Sequence, residues 1–204
     1  IPLANRSAMR VIVFFSDGEP NAFGGRFTHT RSTCVFPGTI TNSGGINGLY
    51  WLNQQASPIG GECELDNNAA TKLPDWYNAH NVNDDPAGRE FRVVTSTPRN
   101  VTSTVSSQNI GRASYNLAEA VAAKARDEGI FVFTLGMGAA LKDSSGFNNE
   151  NNEAFLKCMA NVADGPSRCY DAKKPVGMYC YAATDADLTP CFSKLASAIL
   201  RISK

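Results

Sequence analysis

Met9-Arg10-Val11-Ile12-Val13-Phe14-Phe15-Ser16-Asp17-Gly18 is the stretch on which the fold turns. Apart from Arg10, residues 9–15 are apolar without interruption, and Ser16-Asp17-Gly18 closes the run. A strand with one wet face alternates apolar and polar residues. A run without alternation fits a strand covered on both faces, as in a parallel sheet. Pro20, Asn21, Gly24 and Gly25 come directly after and exclude an immediate long helix.

Working outward, regularity returns at Ser114. Leu117, Ala118, Val121, Ala122 and Ala125 recur at helical spacing among strong helix formers, and Gly129 suits the position just past the helix end. Residues 130–135, Ile-Phe-Val-Phe-Thr-Leu, form a second buried-strand run closed by Gly136-Met137-Gly138. Residues 153–163 predict a helix with Phe155, Met159 and Val162 on one face. Residues 178–182 predict a third strand. Residues 188–202 predict a final amphipathic helix with Phe192, Leu195, Ala196 and Ile199 aligned, its start capped by Asp185 or Asp187. The order β, insertion, α, β, α, β, α implies an α/β layer of parallel strands joined by right-handed crossovers.

The insertion, residues 20–111, is polar and rich in Gly, Asn, Ser and Thr. Most strand-to-helix connections take only about 2–6 residues, so this one is an elaboration and not a loop. Tyr50, Trp51, Leu52, Trp76, Tyr77 and Phe91 offer it a small core or, exposed, a binding patch. The core is the expected role, given the area each ring buries. Residues 91–94 are β-prone and add a strand.

A chain of 204 residues with 43% hydrophobic content suits one domain, or at most two small ones, with a real core. Nineteen basic and nineteen acidic side chains cancel, which argues against a nucleic-acid binder acting through bulk charge and against an acidic disordered tail. No run approaches the roughly 20 apolar residues of a membrane span. The six cysteines, Cys34, Cys63, Cys158, Cys169, Cys180 and Cys191, are even in number, which points to disulfides and an oxidising, extracytoplasmic compartment: periplasm, cell surface or the secreted state. The shortest spacing is eleven residues, so no Cys-x-x-Cys pair suggests zinc. Proximity favours Cys34–Cys63, Cys158–Cys169 and Cys180–Cys191, while the count alone leaves the connectivity open.

Other constellations carry little chemistry. His29 and His80, the only histidines, lie in the insertion. His80 near Asp84 or Asp85 suggests a triad only weakly, since no Gly-x-Ser-x-Gly turn exists. Gly24-Gly25, Gly44-Gly45 and Gly60-Gly61 lack the Lys-Ser/Thr of a phosphate loop. Asp66, Asp84 and Asp85 form no regular Ca²⁺ loop. Asn5-Arg6-Ser7 and Asn100-Val101-Thr102 are glycosylation sequons, of consequence only in a eukaryotic secretory host. Lys173-Lys174 reads as a solvated turn. With no nucleophile–base pair to name, the expectation is a protein that is not an enzyme.

The run Val11 to Phe15 followed by Ser16-Asp17-Gly18-Glu19-Pro20-Asn21 resembles the "strand, then (S/T)-D-G" element of von Willebrand factor A-like (vWA) domains. Residues 118–129, the strand and turn at 130–138, the helix around Phe155-Leu156-Lys157-Cys158-Met159-Ala160, and Tyr179-Cys180-Tyr181-Ala182 with the helix from Asp187 resemble later pieces of that family, in order. The ending, through Ile199-Leu200-Arg201-Ile202-Ser203-Lys204, is most similar to vWA domains of bacterial tight-adherence (Tad/Flp-type) pilus assembly proteins. The resemblance implies a Rossmann-like three-layer sandwich, here the strands of the second half with a long irregular insertion: one partial vWA-like domain over residues 1–204. It also implies a Mg²⁺ site made of an Asp-x-Ser-x-Ser loop, a Thr loop and the Asp of the Asp-Gly turn. Asp17 matches that last ligand. Asp-x-Ser-x-Ser is absent: Asp143-Ser144-Ser145-Gly146-Phe147 and Asp164-Gly165-Pro166-Ser167-Arg168 neither fit it nor follow a buried strand.

Without that motif, the strand beside Val11–Phe15 in the family is missing too. An upstream segment, the insertion or another chain would supply it, and the chain's start at Ile1 without Met favours the first. The expectation is that Val11–Phe15 is flanked by something other than its family neighbour. The functional expectation is an extracytoplasmic module that binds a protein or surface ligand in bacterial pilus assembly or adhesion. The alternative is a structural subunit that completes its sheet from a neighbouring chain and assembles into a filament or complex.

Overall fold

A computed structural model describes residues 9–29, 35–41, 49–51, 70–77, 89–143 and 150–202. The chain forms two compact units: Ile1–Glu19 with Val121–Lys204, and Pro20–Ala120.

The first unit is α/β. Strands β1 (Val11–Ser16), β8 (Phe131–Met137) and β9 (Tyr179–Ala182) form a parallel sheet in the order β1-β8-β9. Val11 stands beside Phe131 and Ser16 beside Gly136, while Thr134 stands beside Tyr179. Helix α2 (Asn152–Ala160) lies against one face, where the Thr134 hydroxyl donates to the Leu156 carbonyl at 2.9 Å. Helix α3 (Leu188–Ile202) lies against the other, packing Cys191 and Leu195 on Phe133, Leu135, Cys180 and Ala182. Gly136 is the close-approach point of the α2 face. A Cβ there would meet Leu141 Cδ1 at 2.6 Å and Leu156 Cδ1 at 2.8 Å.

The second unit is mostly antiparallel. Strands β2 (Ala22–His29), β3 (Val35–Thr41), β4 (Leu49–Trp51) and β5 (Ala70–Lys72) pair in the order β4-β3-β2-β5, and β6 (Trp76–Tyr77) pairs with β7 (Phe91–Arg92). Its core is Phe23, Phe27, Ile40, Leu73, Val93 and Val101, joined by Ile110, Ala113 and Leu117 of α1 (Ser107–Asp127). Tyr77 and Phe91 pack on that core as expected. Trp76 instead stays partly exposed, with the Arg92 guanidinium 4.2 Å from its ring. The burial of Tyr50 and Trp51, and all of Leu52, lie outside the described residues.

Several boundaries differ from the sequence reading for identifiable reasons. Helix α1 begins at Ser107, seven residues before Ser114, because Ser106 Oγ accepts from the Asn109 amide at 3.2 Å and so caps it. Its end is as expected: Gly129 has φ 75°, and the Gly129 and Ile130 amides donate to the Arg126 and Ala125 carbonyls, a Schellman closure. Helix α2 stops at Ala160, with Asn161 in the left-handed region at φ 56°. Val162 therefore falls beyond the helix. On α3 the packed stripe runs through Cys191 and Leu195, so Phe192 and Ala196 turn outward. The Cys180–Cys191 disulfide fixes that rotation by tying α3 to β9. A second disulfide, Cys158–Cys169, ties α2 to the following loop. Cys34 and Cys63 lie outside the described residues.

Candidate functional site

In open parallel sheets the ligand crevice lies beyond the carboxyl ends of the strands. Here those ends are followed by Asp17 after β1, Gly138 after β8 and residues 183–187 after β9. The Gly138 amide donates to the Ala182 carbonyl at 2.9 Å, which ties the β8 and β9 ends together. After β1 the turn closes on itself. The Ser16 hydroxyl donates to the Gly18 carbonyl at 2.9 Å and accepts from the Gly18 amide at 3.3 Å. This leaves the Asp17 side chain exposed. After β9, Thr184 and Asp187 form a capping box, with the Thr184 amide and hydroxyl both donating to Asp187 Oδ2 at 3.0 and 2.9 Å. The box caps the 3-10 turn Asp185–Asp187 that leads into α3, so Thr184 is the N-cap residue and neither Asp185 nor Asp187 caps α3 itself as the sequence suggested.

Among the described residues, no group of three His, Cys, Asp or Glu ligands includes Asp17. The chemistry of its surroundings is thus one hard carboxylate oxygen beside backbone, short of the six oxygens a Mg²⁺ ion takes. The described residues do not by themselves make the Mg²⁺ site that the resemblance implies. His29 falls on β2 opposite Ala70, while His80, Asp66, Asp84, Asp85 and Asn5 lie outside the described residues. Asn100 is exposed, with its carbonyl accepting from Arg112. Lys173-Lys174 is more than a solvated turn, because Lys174 Nζ pairs with Asp127 at 2.9 Å. The ammonium beside Asp127 holds that carboxyl below its usual range, and the carboxylate raises Lys174.

The sequence leads one to expect an open edge on this strand, and β1 does lie at the edge of its sheet, but not exposed faces. The apolar run of β1 is only half-covered: Val11 packs on the core of the sheet, and the rest of the run is not buried. Ile12 is 43% exposed, Val13 49%, Phe14 36% and Phe15 50%, so side chains on both faces meet solvent. Because β1 is the last strand of its sheet, one edge carries backbone groups without a ladder partner among the described residues. The equivalent β8 residues, Val132 to Leu135, are buried. The difference is position: β8 is central, and α2 and α3 pack over β8 and β9. The run reads as a buried strand because its chemistry is that of one; its cover is what the described residues lack.

The sequence matches no protein-family model and no curated protein, and the fold matches no solved structure.

Proposed function

We propose that this chain is an extracytoplasmic, non-enzymatic vWA-like module that binds a protein partner, in bacterial pilus assembly or surface attachment. The observation that carries the reading is the bare β1. All-parallel sheets are covered on both faces, and exposed apolar edges are strand-pairing sites. The partner adds an extended apolar segment along β1, extending the order β1-β8-β9 by one strand, and the Asp17–Gly18 turn sits at the end of that seam. The order of strands and the Asp-Gly turn support the vWA-like assignment, and the two disulfides support an oxidising compartment.

The test is strand addition in trans. A fluorescent peptide with the sequence of residues 10–17 is titrated into the protein and followed by anisotropy. Saturable binding to the wild type, lost in Val13→Lys, is expected, since a lysine on an edge strand opposes pairing. Equal binding by both proteins overturns the reading. Thermal stabilisation by Mg²⁺ that Asp17→Ala removes assigns Asp17 to a metal; identical melting with and without Mg²⁺ leaves it a turn residue. The exposure of both β1 faces also favours a second reading, a structural subunit whose neighbour is another copy. Concentration-dependent assembly in sedimentation velocity without metal distinguishes it.

A further inference from the structure

Strand β1 and helix α3 expose apolar surfaces that meet in one corner. Strand residues alternate between faces, so Val13 and Phe15 share the face of Val11, which packs on the core beneath α3. Both are about half exposed. On α3 the buried stripe runs through Cys191 and Leu195. Phe192 and Ala196, each one position further round the helix, are exposed on one flank of that stripe, while Lys194 and Arg201 stand on the other. The Lys194 flank shares a groove with Met178, which leads into β9. Because β9 ends the order β1-β8-β9, the Phe192 flank faces toward β1. A right-handed β8–α2–β9 crossover, with α3 on the opposite face and running against β9, gives the same assignment.

The heights match as well. Phe15 stands beside Leu135, and Leu135 beside Cys180. Cys180 is bonded to Cys191, which sets the next residue, Phe192, at the level of Phe15. Four residues of helix rise about 6 Å, and two residues of strand about 6.6 Å, so Ala196 comes to the level of Val13. Val13 and Phe15 form the floor of the corner, and Phe192 and Ala196 form its wall. Among the described residues, α2 carries no exposed large apolar side chain, so the other face of the sheet has no such wall.

Layer spacing says what fits there. Neighbouring helices pack about 8–10 Å apart and neighbouring strands about 4.8 Å apart, so one helix covers two strands. Helix α3 already covers β8 and β9 through Phe133, Leu135, Cys180 and Ala182. The next helix on this face therefore lies above β1 and one strand beyond it. A strand added to β1 by itself leaves Val13 and Phe15 open, and a helix by itself leaves the edge unpaired. We infer that the partner of β1 is a strand–helix unit: an apolar strand paired along β1, joined to an amphipathic helix that seats its apolar stripe between β1 and α3. The small side chain of Ala196 lets that helix approach closely. This inference rests on the strand-addition reading and names the kind of partner it takes.

The test compares two fluorescent peptides in anisotropy titrations against the full chain. One has the sequence of residues 10–17. The other continues that strand through Gly-Asn-Gly into Glu-Ala-Leu-Lys-Lys-Leu-Leu-Glu-Lys-Ala-Leu-Lys, whose leucines and second alanine recur at helical spacing. The longer peptide is expected to bind about tenfold more tightly, the equivalent of burying one further large apolar side chain. Phe192→Glu and Ala196→Glu each remove that gain and leave the affinity for the shorter peptide unchanged. Circular dichroism checks that the variants fold; if one does not, the other carries the test. Equal affinity of the wild type for the two peptides, or a gain that the folded variants keep, overturns the strand–helix partner. Strand addition is judged separately by the shorter peptide, whose binding ignores Val13→Lys only if that reading is wrong. Binding of neither peptide overturns both.

Discussion

Tyr179 shows how one residue on β9 joins packing to titration. Its hydroxyl is buried without a hydrogen-bond partner among the described residues, in space that Gly136 leaves open: a Cβ on that glycine would stand 3.2 Å from the oxygen. Burial, reinforced by the Glu153 charge, pushes the phenol well above the usual tyrosine range. A folded pKa above the unfolded one contributes stability that is fully present below the unfolded value, about 10, and is lost as pH rises through the folded value. Tyr179→Phe removes both the orphaned hydroxyl and that alkaline loss. Its expected effect is neutral to about 1 kcal/mol stabilising at pH 8, with a flatter decline above pH 10, read by urea denaturation at the two pH values. A loss of stability at pH 8 would show that the hydroxyl is bonded in solution. Nearby, Lys157 Nζ bridges Asp164 at 2.8 Å and Glu153 at 3.3 Å. The Asp164 bond raises the Lys157 ammonium and lowers the Asp164 carboxyl.

At the scale of elements, the two disulfides and one asparagine organise the route from α2 to α3. Asn161 ends α2 in the left-handed region, and its side chain bonds the Asp171 amide and carbonyl and the Pro175 carbonyl. It therefore orders the loop that Cys169 ties back to α2. Gly177 then passes so close to β8 that a Cβ would fall 1.8 Å from the Val132 carbonyl oxygen. Opening the Cys180–Cys191 bond, of sequence separation 11, in the double variant Cys180→Ala with Cys191→Ala is expected to cost about 3 kcal/mol by loop entropy. Chemical denaturation measures it, and an unchanged midpoint would show that packing alone fixes α3. The periodicity of α3 was legible in the sequence, and its helix bounds are as expected. Which stripe faces the sheet was not: Phe192 and Ala196 fit the pattern as well as Cys191 does, and the stripe that faces it carries the bond to β9 and the packing of Leu195.

At the scale of the molecule, α1 belongs to both units. Ile110, Ala113 and Leu117 enter the core of the second, while Arg126 donates to the Met159 carbonyl near the end of α2 in the first. Ala120 is the last residue of the second unit. Ala120→Pro removes a helical hydrogen bond and clashes with the preceding turn, a cost of about 3 kcal/mol or more. Loss of hydrogen-exchange protection is expected in both β8 and the Thr95–Val101 bridge, which belongs to the second unit. Loss confined to one of them would mean that the units fold independently.

The sequence by itself determined the α/β order of the first unit, because continuous apolar runs and a 3.6-residue period are written locally in residues 9–16 and 114–202. It also brought forward Asp17 through its turn chemistry and pointed to the oxidising compartment through its cysteines. It hid the sheet of the second unit, since Gly24, Gly25 and Pro37 interrupt β2 and β3 and read as turns. Tertiary structure alone decided what is covered. A strand's composition states what environment it suits, whereas burial depends on which elements arrive beside it. That is why the apolar run of β1 lies half-exposed on both faces while the matching run of β8 is buried.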